Sequence, residues 1–164
     1  VLSKFVDSTN IENFFIEISL KKKKWLLSCS YNPKKNFIQN HLNQLIKNLD
    51  YFLSKYENIL IMGDFNVDIS NTLMDSFCHF YSLKSLIKDP TCYKNPTSPS
   101  CIDLIITNQP KSFCHSQVMD LGLSDYHGLT ITMLRSNFEK QEPRIVKYRN
   151  YKNFSNELFL DLLV

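Results

Sequence analysis

The segment "ILIMGDFNVDIS", Ile59 to Ser70, runs four apolar residues into a glycine and then sets a carboxylate and an amide two positions apart, Asp64 and Asn66. Residues i and i+2 of an extended chain share a face. The two side chains are therefore expected to converge while Phe65 turns into packing. One carboxylate with one neutral amide is a hard-oxygen set suited to Mg²⁺, which keeps several waters and takes few protein ligands. The amide can also hold a phosphate oxygen or an attacking water without adding charge. A turn in which Asp and Asn only cap backbone groups explains the same letters, and both readings stand here.

Two further segments supply acids and an imidazole. "SCIDLIIT" sets Asp103 in an otherwise apolar strand, where an unpaired carboxylate costs several kcal/mol and needs a donor or cation. "LSDYHGL" supplies Asp125 and, two residues on, His127. An acid for a metal and an imidazole for a phosphate or leaving group would complete a hydrolytic site. A turn reading of the Ser-Asp pair stands beside it. Tyr31, ahead of Asn32-Pro33, ends a strand on the same expected rim as Asp64. His41 and His79 fall within helical patterns as surface or packing residues, and His115 beside Cys114 has no zinc spacing.

The elements that would position these residues read clearly. "FFIEISL" (Phe14–Leu20) and "KWLLSCSY" (Lys24–Tyr31) are expected to be antiparallel strands across the lysine run Lys21–Lys24, taken as a solvated turn. Phe37, Ile38, Leu42, Leu45, Ile46, Leu49, Phe52, Leu53 and Tyr56 make one helical stripe, with Asn36 as N-cap. "NILIMGD" is a strand covered on both faces. "TLMDSFCHFYSL" is a second helix, "IKDPTCYKNPTSPS" a loop, and "CIDLIIT" and "HGLTITML" two more strands, joined through "NQPKSFCHSQVMDLGLSD". Strand, helix, strand indicates an α/β sandwich. From about Asn137 the chain turns basic and polar and reads as a linker, dividing it into a domain over 1–136 and a following segment over 137–164.

Bulk properties fit one soluble domain: 164 residues, 43% hydrophobic and 21% charged, with a core of ordinary size. The net charge of +3 permits a nucleic-acid partner without arguing for one. Five cysteines, without CxxC spacing, fit reduced thiols in a cytosolic or nuclear protein; Cys92 and Cys101 flank a proline-rich loop that a disulfide would close. No stretch approaches the ~20 apolar residues of a membrane helix. The chain does not start with Met and ends on an apolar run, which suggests a piece of something longer.

In order, "SYNP", a long amphipathic helix, "ILIMGDFN", "SCIDLIIT" and "GLSDYHGLTIT" resemble the C-terminal part of an endonuclease/exonuclease/phosphatase domain. More narrowly, the chain is similar to the apurinic-like endonuclease of non-LTR retrotransposon polyproteins, with "IDLIITNQP" and "PRIVKYRNYKNFSNELF" resembling that branch. The resemblance covers roughly residues 11 to 160. It implies an incomplete four-layer α/β sandwich, two packed β-sheets flanked by helices with the N-terminal part missing. It also implies Mg²⁺-assisted (or Mn²⁺-assisted) cleavage of DNA, a following reverse transcriptase region, a nuclear location and no membrane partner. By that resemblance Asp64 activates or positions the attacking water and binds metal, Asn66 orients water and phosphate, and Tyr31 contacts phosphate. Asp103 holds the catalytic histidine and Asp125 sits beside the metal.

The sequence departs from the family pattern twice. The family ends its motif Ser-Asp-His, whereas Tyr126 stands here beside Asp125 and the histidine follows at His127. A one-residue slip on a strand reverses the face, so His127 needs a local bulge to reach the site; tyrosine, with a reference pKa of ~10, cannot supply the cation. The family's early asparagine and glutamate have no counterpart ahead of Phe14, and Glu17 belongs to a later strand. A fragment with little or no activity alone follows. A phosphatase-like or sphingomyelinase-like phosphoesterase, and a non-catalytic remnant, are the rival readings.

Overall fold

The structure is a computed structural model that describes residues 3–5, 12–20, 23–122, 124, 126–135, 155 and 160–161. Asp125, the turn residues Lys21 and Lys22, and nearly all of the segment 137–164 lie outside the described residues.

β2 (Glu12–Leu20) and β3 (Lys23–Tyr31) pair antiparallel from Glu12↔Tyr31 to Leu20↔Lys23. β1 (Ser3–Phe5) adds to the outer edge of β2. The chain then turns through one 3₁₀ turn, Lys35–Phe37, into α1 (Ile38–Leu53). Asn36 lies inside that turn and does not cap the helix; Phe37 holds the N-cap position with no side-chain hydrogen bond. The 3₁₀ turn takes up Asn36, so the helix starts after the residue that local chemistry favoured. The apolar stripe is buried at Ile38, Leu42, Leu45, Leu49 and Phe52, with His41 among them. Phe37, just ahead of the helix, and Leu53, one position round from buried Phe52, are exposed instead.

β4 (Asn58–Asp64) returns parallel to β3, with Ile59, Leu60 and Ile61 buried, as a strand covered on both faces requires. α2 (Thr72–Phe80) follows, capped by Asn71, whose side chain accepts from the Leu73 N–H. β5 (Lys84–Ser85) and β6 (Asp103–Thr107) complete a six-stranded sheet in the order β1-β2-β3-β4-β6-β5. Trp25 and Leu26 face opposite sides of it. α1 covers one side, where Phe15 meets Phe52 at 5.1 Å between ring centres.

The other side receives a second sheet, β7 (Phe113–Met119) paired with β8 (Leu129–Leu134), through Phe113 edge-on to Trp25 at 5.4 Å. β7 falls in the stretch read from sequence as a connection. Its polar run His115-Ser116-Gln117 hides the alternation, and a bulge between Cys114 and Gln117, with His115 at φ 52°, breaks the register. The architecture is α/β, two sheets with helices, as the motif order implied.

Candidate active site

Three strand ends meet at one rim. Tyr31 closes β3 at the register of Asp64, which closes β4, and Asp64 pairs with Asp103, which opens β6. The sandwich thus delivers two carboxylates and a tyrosine side by side at the carboxyl ends of its parallel pair, where α/β sheets collect ligands. Asp103 lies at the end of its strand and not in the middle. The reason is Thr91: its buried hydroxyl oxygen accepts from the N–H groups of both Ile102 and Asp103 at 3.0 Å. These two N–H groups answer to a side chain, while the Ile102 carbonyl accepts from the Phe65 N–H at 2.9 Å.

Asn66 reaches Asp64 by a turn and not by strand alternation. It takes the left-handed conformation at φ 51°, which asparagine tolerates. Its N–H donates to Asp64 Oδ1 at 2.8 Å and its Nδ2 donates to the Asn32 carbonyl at 2.7 Å. Phe65 between them is fully buried, as expected, and stands edge-on to His41. Asn32 braces the turn from the other side, donating Nδ2 to the Phe65 carbonyl at 2.8 Å. Gly63 makes the arrangement possible, since its Cα faces the main chain of Ser30 with no room for a Cβ.

His127 does reach this rim. β8 begins only at Leu129, so strand alternation does not govern its direction. It pairs instead as an isolated bridge with Cys92, flanked by the bonds Gly128 N–H to Thr91 carbonyl at 3.0 Å and Tyr93 N–H to Tyr126 carbonyl at 2.7 Å. That pairing sets His127 Nδ1 3.6 Å from Asp103 Oδ2, an otherwise unpartnered buried oxygen. Tyr126 is 51% exposed.

Burial raises the Asp64 carboxyl above its ordinary pKa; the Asn66 N–H opposes this, the Asp103 charge adds to it, and His127 and Lys94 counter it. Asp64 therefore feels Asp103, His127 and Lys94 together, which places all four in one electrostatic neighbourhood. Among the described residues, no group of three or more His, Cys, Asp and Glu side chains is gathered to hold a metal ion. Asp125, expected beside the metal, falls outside the described residues.

Three residues that sequence reasoning passed over shape the site. Thr91 and Asn32 do so through the bonds above. Asp68 accepts from Ser70 N–H at 2.9 Å, from Ser70 Oγ at 2.7 Å and from Cys101 N–H at 2.7 Å. It ties the loop after Asp64 to the strand that carries Asp103. Burial works to raise its carboxyl, but the Ser70 and Cys101 bonds and the Lys35 charge outweigh that and hold it below the ordinary range. All five cysteines are free thiols, so no disulfide closes the 92–101 loop.

This is the endonuclease/exonuclease/phosphatase fold. No family profile matches the sequence, and no curated protein matches it by sequence. Among solved structures, the endonuclease domain of TRAS1, a telomere-specific non-LTR retrotransposon, superposes at TM-score 0.62 with 16% identity, over 75% of this chain and 61% of that one. An endonuclease/exonuclease/phosphatase family protein from Leptotrichia buccalis gives 0.59 and 16% over 76% and 53%. The 3′ phosphatase NExo from Neisseria, bound to a product DNA hairpin, gives 0.56 and 10% over 74% and 65%. The chain spans less than two thirds of each of these structures.

Proposed function

We propose that the chain is part of a retrotransposon-type, Mg²⁺-dependent endonuclease that hydrolyses a DNA phosphodiester bond, and that it is weakly active alone. One observation carries the reading: Asp64, Asn66, Asp103 and His127, drawn from separate stretches, meet at one rim with Asp64 and Asp103 in register and His127 beside Asp103. Two half-buried like charges, one raised by burial and by the other, suit a neighbouring cation. With so few protein oxygens the fit is to Mg²⁺ that retains most of its waters. Asp64 would hold it, joined by Asp125 on the strength of the family resemblance. When bound, the ion supplies charge neutralisation at the phosphate.

The protein's own groups do the rest. Asp64, its carboxyl held above the ordinary range, accepts a proton from the attacking water. Asn66, fixed by its two donor bonds, presents its amide to the phosphate. Asp103 keeps His127 turned so that its imidazole meets a phosphate oxygen, and Tyr31 contributes its phenol from the next strand. DNA as substrate and a following reverse transcriptase region belong to this reading.

The test is nicking of supercoiled plasmid, with protein in excess. Slow, Mg²⁺-dependent nicking lost in Asp64→Asn is expected. Nicking indifferent to Asp64→Asn, or none at all with Mg²⁺ or Mn²⁺, refutes hydrolysis and leaves the non-catalytic remnant; fast multiple turnover refutes the weak-fragment claim. The likeness to a DNA 3′ phosphatase favours one alternative, release of a terminal phosphate. An oligonucleotide ending in a 3′-phosphate separates the two.

A further inference from the structure

A second, smaller pocket of about 150 Å³ opens between β2 and the end of α1, lined by Phe15, Glu17, Tyr51, Phe52, Lys55 and Tyr56. It takes no part in the chemistry above: Glu17 is in register with Leu26, whereas Tyr31 at the catalytic rim is in register with Glu12. Phe52 is the hub of its wall, with the rings of Phe15, Tyr51 and Tyr56 centred 5.1, 5.1 and 6.0 Å from its own. Glu17 supplies a carboxylate with a side chain only 19% exposed. Tyr56 Oη donates to its Oε2 at 2.6 Å, and Lys24 Nζ lies 3.5 Å from its Oε1. The Tyr56 bond, opposed by burial and helped by the Lys24 charge, holds the Glu17 carboxyl below its ordinary range. The pocket is therefore anionic at neutral pH on its carboxylate side. One ammonium already uses the wall: Lys55 Nζ stands 4.2 Å from the centre of the Tyr51 ring and donates to Tyr51 Oη at 3.0 Å.

We propose that this pocket is an aromatic cage for a methylated lysine side chain of a partner protein, and that Lys55 is the resident cation which that side chain displaces. The site is independent of the hydrolase reading. Aromatic faces attract cations, and rings grouped around one carboxylate make the recognised setting for a quaternary ammonium. An anion would meet the Glu17 carboxylate and the negative ring faces instead. The volume is well below the several hundred Å³ of a cofactor site and suits the head group of one side chain. An unmethylated ammonium is strongly hydrated and asks for acceptors in exchange for its water. Glu17 has Tyr56 on one oxygen and Lys24 beside the other, so it offers charge more than open acceptors. That balance favours an ammonium that carries methyl groups and donates nothing. Lys55 shows that a four-carbon arm can lay its nitrogen over Tyr51, which favours a lysine side chain over a lipid choline.

Calorimetric titration of the whole chain tests this with three short peptides of one sequence. The first carries a trimethyllysine, the second an unmodified lysine, and the third a neutral isostere with carbon in place of the quaternary nitrogen. Trimethyllysine is expected to bind about tenfold tighter than either of the others. Tyr51 is 50% exposed, so its ring can be removed without emptying the core. Tyr51→Ala should erase the preference and Tyr51→Phe keep it. Glu17→Gln should weaken trimethyllysine and leave the isostere unchanged. Lys55→Gln, which removes the resident cation, should tighten trimethyllysine about threefold. Equal affinity for trimethyllysine and its isostere, a preference that survives Tyr51→Ala, an affinity that Lys55→Gln leaves unchanged or lowers, or no binding overturns the proposal. So does binding to phosphatidylcholine vesicles without binding to the peptide, which would make the ligand a lipid head group.

Discussion

Gly63 is the position where a single methyl group should do most harm. A Cβ built there stands 1.7 Å from the Ser30 carbonyl oxygen, 2.7 Å from its carbon and 3.0 Å from the Ser30 nitrogen. These are main-chain atoms of β3, so relief requires parting β3 from β4 along their parallel pairing. The backbone at φ 149° is also one that L residues rarely adopt. Overpacking costs about 1–3 kcal/mol and the glycine-only conformation about 1–3 more, so Gly63→Ala should lose ~2–6 kcal/mol. That is a large share of an ordinary domain's stability. In urea, with a slope of about 1–3 kcal/mol per molar, the midpoint should fall by roughly 1 M or more. Gly122→Ala is the control: its Cβ meets nothing within 4 Å and only the positive φ of 63° opposes it, a cost of about 1 kcal/mol. Equal midpoints for the two variants, or a Gly63→Ala midpoint within about 0.3 M of wild type, would show that β3 and β4 do not approach as described.

Other outcomes follow from the same geometry. Burial lowers the pKa of His41 from 6.5 to about 4, so the native state refuses a proton that the unfolded chain accepts. Its contribution is complete above pH 6.5 and is lost as pH falls toward 4, ~3 kcal/mol in all; a His41→Gln variant whose urea midpoint keeps the wild-type pH slope would contradict this. Thr91→Val keeps the shape but strips two N–H groups of their acceptor, and should cost about 2–4 kcal/mol and depress nicking. Thr91→Ser should restore both. Asp68→Ala should lower nicking more than DNA binding, because it removes one of the two bonds that hold the loop after Asn66 to Cys101, leaving the Ile69 N–H on the Cys101 carbonyl; an unchanged rate would dismiss the clamp.

What the sequence made readable were features enforced by local chemistry. The apolar run into Gly63-Asp64 and the period of α1 gave the succession β3–α1–β4, although α1 stops at Leu53, short of the Tyr56 that ends its stripe. Asp64, Asn66, Asp103, His127 and Tyr31 could be named because their motifs, in order, resemble one family, and the fold brings Asp64, Asn66, Asp103 and His127 together with Tyr31 at the register of Asp64. The route there was not readable. Alternation was the wrong device for Asn66, which needs a left-handed turn, and for His127, which lies outside any strand and is aimed by pairing with Cys92. Thr91 and Asp68 escaped notice because a threonine after proline and an aspartate in a loop look like turn residues; only the chain folded back over more than thirty positions shows Asp68 gripping Cys101. β7 was missed for a related reason, since a bulge erases the period on which strand recognition depends.

Thr91 grips in two directions at once. Its hydroxyl fastens the start of β6 and its carbonyl fastens the residue after His127, so acid and imidazole hang from one peptide unit. Any breathing of the two sheets against each other carries both partners in the same direction. Their mutual aim is therefore preserved through fluctuations that would shear apart a pair mounted on independent supports.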